Sequence, residues 1–174
     1  SLTMNGMLNI LEELKKNFKG EFIITPQVKK KVIDKPMRIK KYEFEAIQVN
    51  DLLERGVLKL ATQLVSFSKL ENETARVLKL TNSLLKSTNT GEKITLVHEG
   101  EASCLAFSNL CKEENLLVID ERTTRIIAEA PLNLEKLMEK KLHTPLEASL
   151  NQLKELGNFK VIRSTELIYV AYKK

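Results

Sequence analysis

Apolar positions along the chain recur at helical spacing in some stretches and cluster into short β-rich runs in others. Met7, Leu8, Leu11 and Leu14, with charged residues between them, predict a helix over residues 4–16 that Gly20 stops. Phe22, Ile23 and Ile24 predict a buried strand, with Thr25 and Pro26 as the turn that closes it. Residues 27–33 fit one or two helical turns, broken by Pro36. Ile39, Tyr42, Ala46, Val49, Leu52 and Leu53 fall on one side of a helix over 39–55. Gly56 is its expected C-cap, and a short strand follows over 57–60.

The second half repeats the alternation. A long helix is predicted over 70–85, a loop over 88–91 and an extended run over 94–97 that ends at Gly100. Residues 101–112 form the clearest helix, with Ala102, Leu105, Ala106, Phe107 and Leu110 as its apolar set and no breaker inside. A buried strand is expected over 116–119, closed by Asp120 and Glu121. Helices follow over 123–130, stopped by Pro131, and over 133–140. Leu146, Leu150, Leu153 and Leu156 predict another, ended by Gly157. Residues 159–162 are extended, and Ser164 is the expected N-cap of a last helix through Tyr172. Strands that alternate with helices point to an α/β fold with a mostly parallel central sheet between helical layers. No repeat, low-complexity tract or linker interrupts the pattern. One domain over 1–174 is expected, with 144–174 as a C-terminal helix–strand–helix extension.

Composition narrows the function classes. Hydrophobic residues make up 43% of the 174, enough for a sizeable core. No uncharged apolar run approaches the roughly 18 residues of a membrane span. Cys104 and Cys111 lie seven residues apart along one helix face, too far for a disulfide. No Cys/His cluster suggests structural zinc, and both cysteines read as core residues. A reducing, cytoplasmic setting is expected. The chain opens Ser1-Leu2-Thr3-Met4, without a signal-peptide pattern. No glycine-rich phosphate loop occurs, and His98 and His143 read as surface residues with no nucleophile motif beside them; the alternative for His98, close in sequence to Glu101, is a place on the same edge as that acid.

Charge changes the picture more. Residues 15–41 hold ten lysines and arginines against two acids, although the whole chain is only +5. Such a concentration is the footprint of a polyanion binder or a solvated lysine-rich surface. Lys29, Lys30, Lys31, Arg38, Lys40 and Lys41 are the candidate nucleic-acid contacts. Arg122 and Arg125 are added because they follow an acidic strand end and could grip a phosphate; they could equally pair with Glu121 or Glu129.

Ligands of open parallel sheets sit beyond the carboxyl ends of the strands, where Asp120 and Glu121 fall. The helix before that strand starts near Glu101 and runs antiparallel to it, so its first turn returns to the same edge. Two or three converging carboxylates suit Mg²⁺ or Mn²⁺. The alternative roles are structural: Glu101 at a helix dipole and Asp120 in a turn or cap.

Gly100-Glu101-Ala102-Ser103 with Ala106, followed by Val118-Ile119-Asp120-Glu121-Arg122-Thr123-Thr124-Arg125, resembles the C-terminal half of archaeal and bacterial PIN-domain proteins. Residues 22–28 resemble that family's second strand and turn. The similarity runs from about residue 4 to 130. It implies a three-layer α/β/α fold and a metal-dependent ribonuclease with about four acids, sometimes paired with an antitoxin and often dimeric. Glu101 and Asp120 match the third and fourth acids, and Glu121 sits beside the fourth. The strand carrying the first Asp has no counterpart, so the chain is expected to begin inside the domain. Lys31 stands at the second acid's position, where an ammonium repels a metal ion and can contact a phosphate instead. Asp34, one turn on, is the candidate substitute.

The sequence therefore predicts a PIN-type endoribonuclease acting on single-stranded RNA. Glu101 and Asp120 would be catalytic, with Glu101, Asp120, Glu121 and Asp34 as ligands of Mg²⁺ or Mn²⁺. The alternative is a catalytically degenerate PIN-like module that binds RNA or a protein, and a purely structural or oligomerisation domain is a third reading.

Overall fold

β1 (Phe22–Ile24) runs in parallel register with β2 (Leu58–Leu60), pairing Phe22 with Leu58 and Ile24 with Leu60. Strand side chains alternate between faces, and β1 uses both. Ile23 packs on a large core built from residues 61 onward, while Phe22 and Ile24 join a smaller cluster around Leu11, Ile33, Val49, Leu52 and Leu58. The computed structural model describes residues 6–173, the side chains of Leu150 and Gln152 excepted. The predicted start of the first helix at residue 4 lies outside the described residues.

The small cluster is covered by α1 (Asn9–Asn17), α3 (Glu43–Glu54) and a helical segment between them. That segment begins without the expected turn. Thr25 caps α2 (Pro26–Lys29) by accepting from the Val28 N–H at 3.3 Å, and Pro26 takes the first helical position, where a missing N–H costs nothing. The helix then widens into a π-helical turn, Lys30–Asp34, in which the Lys35 N–H reaches back to the Lys30 carbonyl at 3.0 Å. Pro36 starts a 3₁₀ turn, and residues 39–42 are turn, so α3 begins four residues later than the periodicity suggests.

The large core lies between α4 (Phe67–Thr81) and α5 (Glu99–Leu110), joined by Leu117, Ile119, Ile127, Leu134, Met138 and Leu146. Here the expectations need corrections. α4 stops at Thr81, and Leu85 belongs to β3 (Leu85–Ser87). The Asn82 side chain explains the stop: its Oδ1 accepts from the Leu96 and Val97 N–H groups at 2.7 and 3.0 Å, and its Nδ2 donates to the Val97 carbonyl at 3.1 Å. Residues 94–97 are held by that clamp and by the Ile94 N–H on the Leu85 carbonyl rather than by a strand ladder. The helix predicted from Leu146 to Leu156 is instead β5 (Leu146–Ala148), antiparallel to β3, followed by a 3₁₀ helix over Leu150–Glu155. Leucines at helical spacing gave way to the backbone pairing that β3 offers.

β4 (Leu117–Val118) pairs in parallel with β6 (Val161–Ile162). It is shorter and less buried than expected, since Leu116 and Val118 are 51% and 42% exposed while Leu117 and Ile119 face the core. α6 (Arg122–Glu129) and α7 (Leu134–Leu142) follow, and α8 (Ser164–Tyr172) closes the chain, its Leu167 packing on the small cluster. The architecture is mixed α/β, strongly helical. Among the described residues the strands pair two by two, two pairs parallel and one antiparallel, and not as one continuous sheet.

Candidate functional site

The first turn of α5 is fastened to the end of β1. The Thr25 and Ser103 hydroxyls share a buried hydrogen bond of 2.6 Å, and Ser103 Oγ donates to the Gly100 carbonyl at 2.7 Å. This brings the π turn of residues 30–34 against the start of α5. Lys31 Nζ then lies 2.9 Å from Glu101 Oε1. The lysine is 61% exposed and the carboxylate only 16%. Burial disfavours the charged carboxylate, but the Lys31 ammonium, its own backbone N–H and His98 outweigh that effect and hold Glu101 below the ordinary range. The second oxygen, Oε2, is buried without a hydrogen-bond partner. Cys104 packs one turn on, and burial pushes its thiol up to about 11, so it stays protonated at neutral pH.

Two clefts adjoin this ion pair. The larger, about 300 Å³, is lined by Gln27, Lys30, Lys31, Lys35, His98, Glu99 and Gly100. The smaller, about 150 Å³, includes Glu101, Glu121, His98 and Lys141. Glu101 and Glu121 therefore share one cleft, as the antiparallel run of helix and strand predicts. Glu121 is occupied there. It is the N-cap of α6, accepting from the Thr123 and Thr124 N–H groups at 3.0 and 2.6 Å and from Thr124 Oγ1 at 2.9 Å. Burial opposes its ionisation, and these donors win, lowering its pKa.

Asp120 stands at the end of β4 as expected, but it does not line the cleft with Glu101. Its Oδ1 accepts from the Ser164 N–H and its Oδ2 from Ser164 Oγ, both at 2.8 Å. Asp120 thus satisfies the start of α8, and Ser164 is the first residue of that helix rather than its N-cap. The Arg163 N–H in turn donates to Glu166 at 2.6 Å. Asp34 bonds Lys29 Nζ at 2.5 Å and does not approach Glu101 as a shared ligand. Among the described residues, no three Asp, Glu, His or Cys side chains come together as a metal would require. Of the four predicted ligands, Glu101 Oε1 is bonded to an ammonium, Asp120 and Glu121 accept from backbone and hydroxyl donors, and Asp34 pairs with Lys29.

The basic segment divides by its partners. Lys29 and Lys31 are engaged by Asp34 and Glu101. Lys30, Lys35, Arg38, Lys40 and Lys41 are exposed and make no ion pair among the described residues; Lys41 lies 5.4 Å from the centre of the Tyr42 ring. Arg122 is likewise exposed. Arg125 is folded down: its side chain is 15% exposed, it pairs with Glu129 at 3.5 Å, and its Nε is buried without a partner.

Sequence reasoning missed two participants, Lys35 and Ser164. Lys35 lies in the charge run but not among the candidate contacts, yet it lines the larger cleft. His98 is exposed and lines one cleft together with Glu101. Ser164 lies 44 positions from Asp120 and carries no local signal of that contact. No protein-family model matches the chain, and neither a curated protein nor a solved structure matches it.

Proposed function

We propose that this chain is a PIN-like RNA-binding module whose acidic site is held closed by a lysine. One observation carries the reading: Lys31 Nζ sits on Glu101 Oε1 at 2.9 Å, where a nuclease of that family would need a metal-binding carboxylate pair. Asp120 is committed to Ser164 and Glu121 to the start of α6, which supports the same conclusion. Binding rests on the exposed cations Lys30, Lys35, Arg38, Lys40 and Lys41. Their ammonium and guanidinium groups neutralise backbone phosphates and release counterions. Tryptophan is absent, so stacking on indole makes no contribution.

In this reading the separate pairs β1–β2 and β4–β6 stand where the central parallel sheet of a three-layer domain would lie. Both pairs are parallel, and both lie near α5, one through the Thr25–Ser103 bond and the other by direct packing.

The test is anisotropy of a labelled single-stranded RNA titrated with the protein at several salt concentrations. Affinity is expected to fall with salt at a log–log slope of roughly −2 to −3, as three or four phosphate contacts give on a single strand. Absence of binding at low salt would overturn the reading. A second reading, metal-dependent RNA hydrolysis, keeps one supporting feature. Glu101 Oε2 is unpartnered and its cleft also holds Glu121. Cleavage that EDTA abolishes would favour it.

A further inference from the structure

The larger cleft has a composition that the general basic surface lacks. Lys30 and Lys31 line it from the π turn, Lys35 from the residue that caps that turn, and His98 from the residue preceding α5. Glu99 is the one acid in its lining. Lys30 and Lys35 have no ionic partner among the described residues, and Lys31 is shared with Glu101. A volume of about 300 Å³ exceeds what a water or simple ion needs and lies at the small end of the range of ligand pockets.

We propose that this cleft is a discrete phosphate-binding site, in which Lys30 and Lys35 supply the charge and Lys31 divides its ammonium between the phosphate and Glu101. The inference rests on the RNA-binding reading and adds a ligand and a place. The Lys31–Glu101 pair sets the affinity. Glu101 competes with the phosphate for the ammonium and repels the phosphate directly, so it acts as a built-in attenuator. Neutralising it strengthens binding, the opposite of what loss of a merely structural residue would do. The phosphate could be an internal diester or a terminal monoester. A monoester carries more charge and presents more oxygens to three converging lysines.

The experiment compares binding at fixed ionic strength of inorganic phosphate, a 5′-phosphorylated oligoribonucleotide and the same oligonucleotide with a 5′-hydroxyl. Anisotropy reports the oligonucleotides, and backbone amide shifts of residues 27–35 and 98–101 report phosphate. The variants are the full chain with Lys30→Gln/Lys35→Gln, with Lys40→Gln/Lys41→Gln, and with Glu101→Gln. The cleft pair is expected to weaken oligonucleotide binding about tenfold, and the Lys40/Lys41 pair, as backbone contacts outside the cleft, only about threefold. Glu101→Gln is expected to tighten it about threefold, with circular dichroism confirming that each variant is folded. A stronger 5′-phosphorylated ligand identifies the monoester, and equal affinity identifies the diester; either outcome supports the site. Equal weakening by the two lysine pairs would overturn the site and leave a diffuse basic surface, so RNA binding itself would stand. Weaker binding by a folded Glu101→Gln variant would overturn the attenuator. If no ligand binds the unmodified chain, the RNA-binding reading fails as well.

Discussion

At the scale of residues, the proposed function rests on the pair Lys31–Glu101. A carboxylate that is 16% exposed is stable as an anion only with a partner, and the partner here is a lysine from a different segment, 70 positions away in sequence. The electrostatic sign follows from the lowered pKa. Glu101 contributes stability above its unfolded value of about 4.5, and that contribution is lost as pH falls through the lower folded value. Lys31→Met leaves the carboxylate buried and unpaired. It is expected to cost about 1 kcal/mol at neutral pH, with the deficit shrinking as pH falls below 4.5 and through the lowered folded value, where Glu101 protonates in the unmodified protein as well. Urea unfolding at pH 7 and pH 3.5 measures this; a deficit that is the same at both pH values would disprove the electrostatic role. The resemblance places Lys31 and Glu101 at two positions of one acidic site, but periodicity and composition carry no sign that the two meet as an ion pair. That contact depends on Thr25 and Ser103 locking β1 to α5, a tertiary bond with no periodic signature.

At the scale of elements, helices and their ends were legible where a single face packs on one core. Residues 101–112 and 123–130 match α5 and α6 to within two residues at each end. The failures occurred where tertiary partners overrode local pattern. Leu146 has the spacing of a helix face but pairs with Ser87 across β3–β5, and Asn82 ends α4 by binding the backbone of residues 96 and 97. Asp120 belongs to this scale too. The geometry that suggested a metal ligand serves to tether α8. Asp120→Ala is expected to lower stability by about 1–2 kcal/mol, as loss of a helix-start acceptor does. The opening should be local: amide exchange in residues 164–172 should accelerate more than exchange in α5. Uniform acceleration across both helices would show that Asp120 supports the whole fold and not one helix. Glu121, with three donors at the start of α6, is expected to behave likewise for residues 122–129 when replaced by Ala.

At the scale of the whole molecule, charge and packing are unevenly distributed. The cations of residues 15–41 border the small cluster of Leu11, Ile33 and Val49, whereas the large core lies mostly in the second half. Sequence composition alone locates the positive segment. It does not reveal which members are neutralised, and the structure withdraws Lys15, Lys16, Lys29 and Lys31 into ion pairs while leaving Lys30, Lys35, Arg38, Lys40 and Lys41 exposed. The alternation of strands and helices was also visible, but the pairing of the strands was not. β4 and β6 are only two residues each, and their pairing spans more than 40 residues. The central claim is that Glu101 already has its cation, so that the chain binds RNA without cutting it. The most direct measurement incubates the full chain with single-stranded RNA and Mn²⁺, with and without EDTA, and reads bound fraction and RNA length from the same samples. Bound, intact RNA whose affinity is indifferent to EDTA is the expected result. Shortened RNA, protected both by EDTA and by Glu101→Gln, would contradict it.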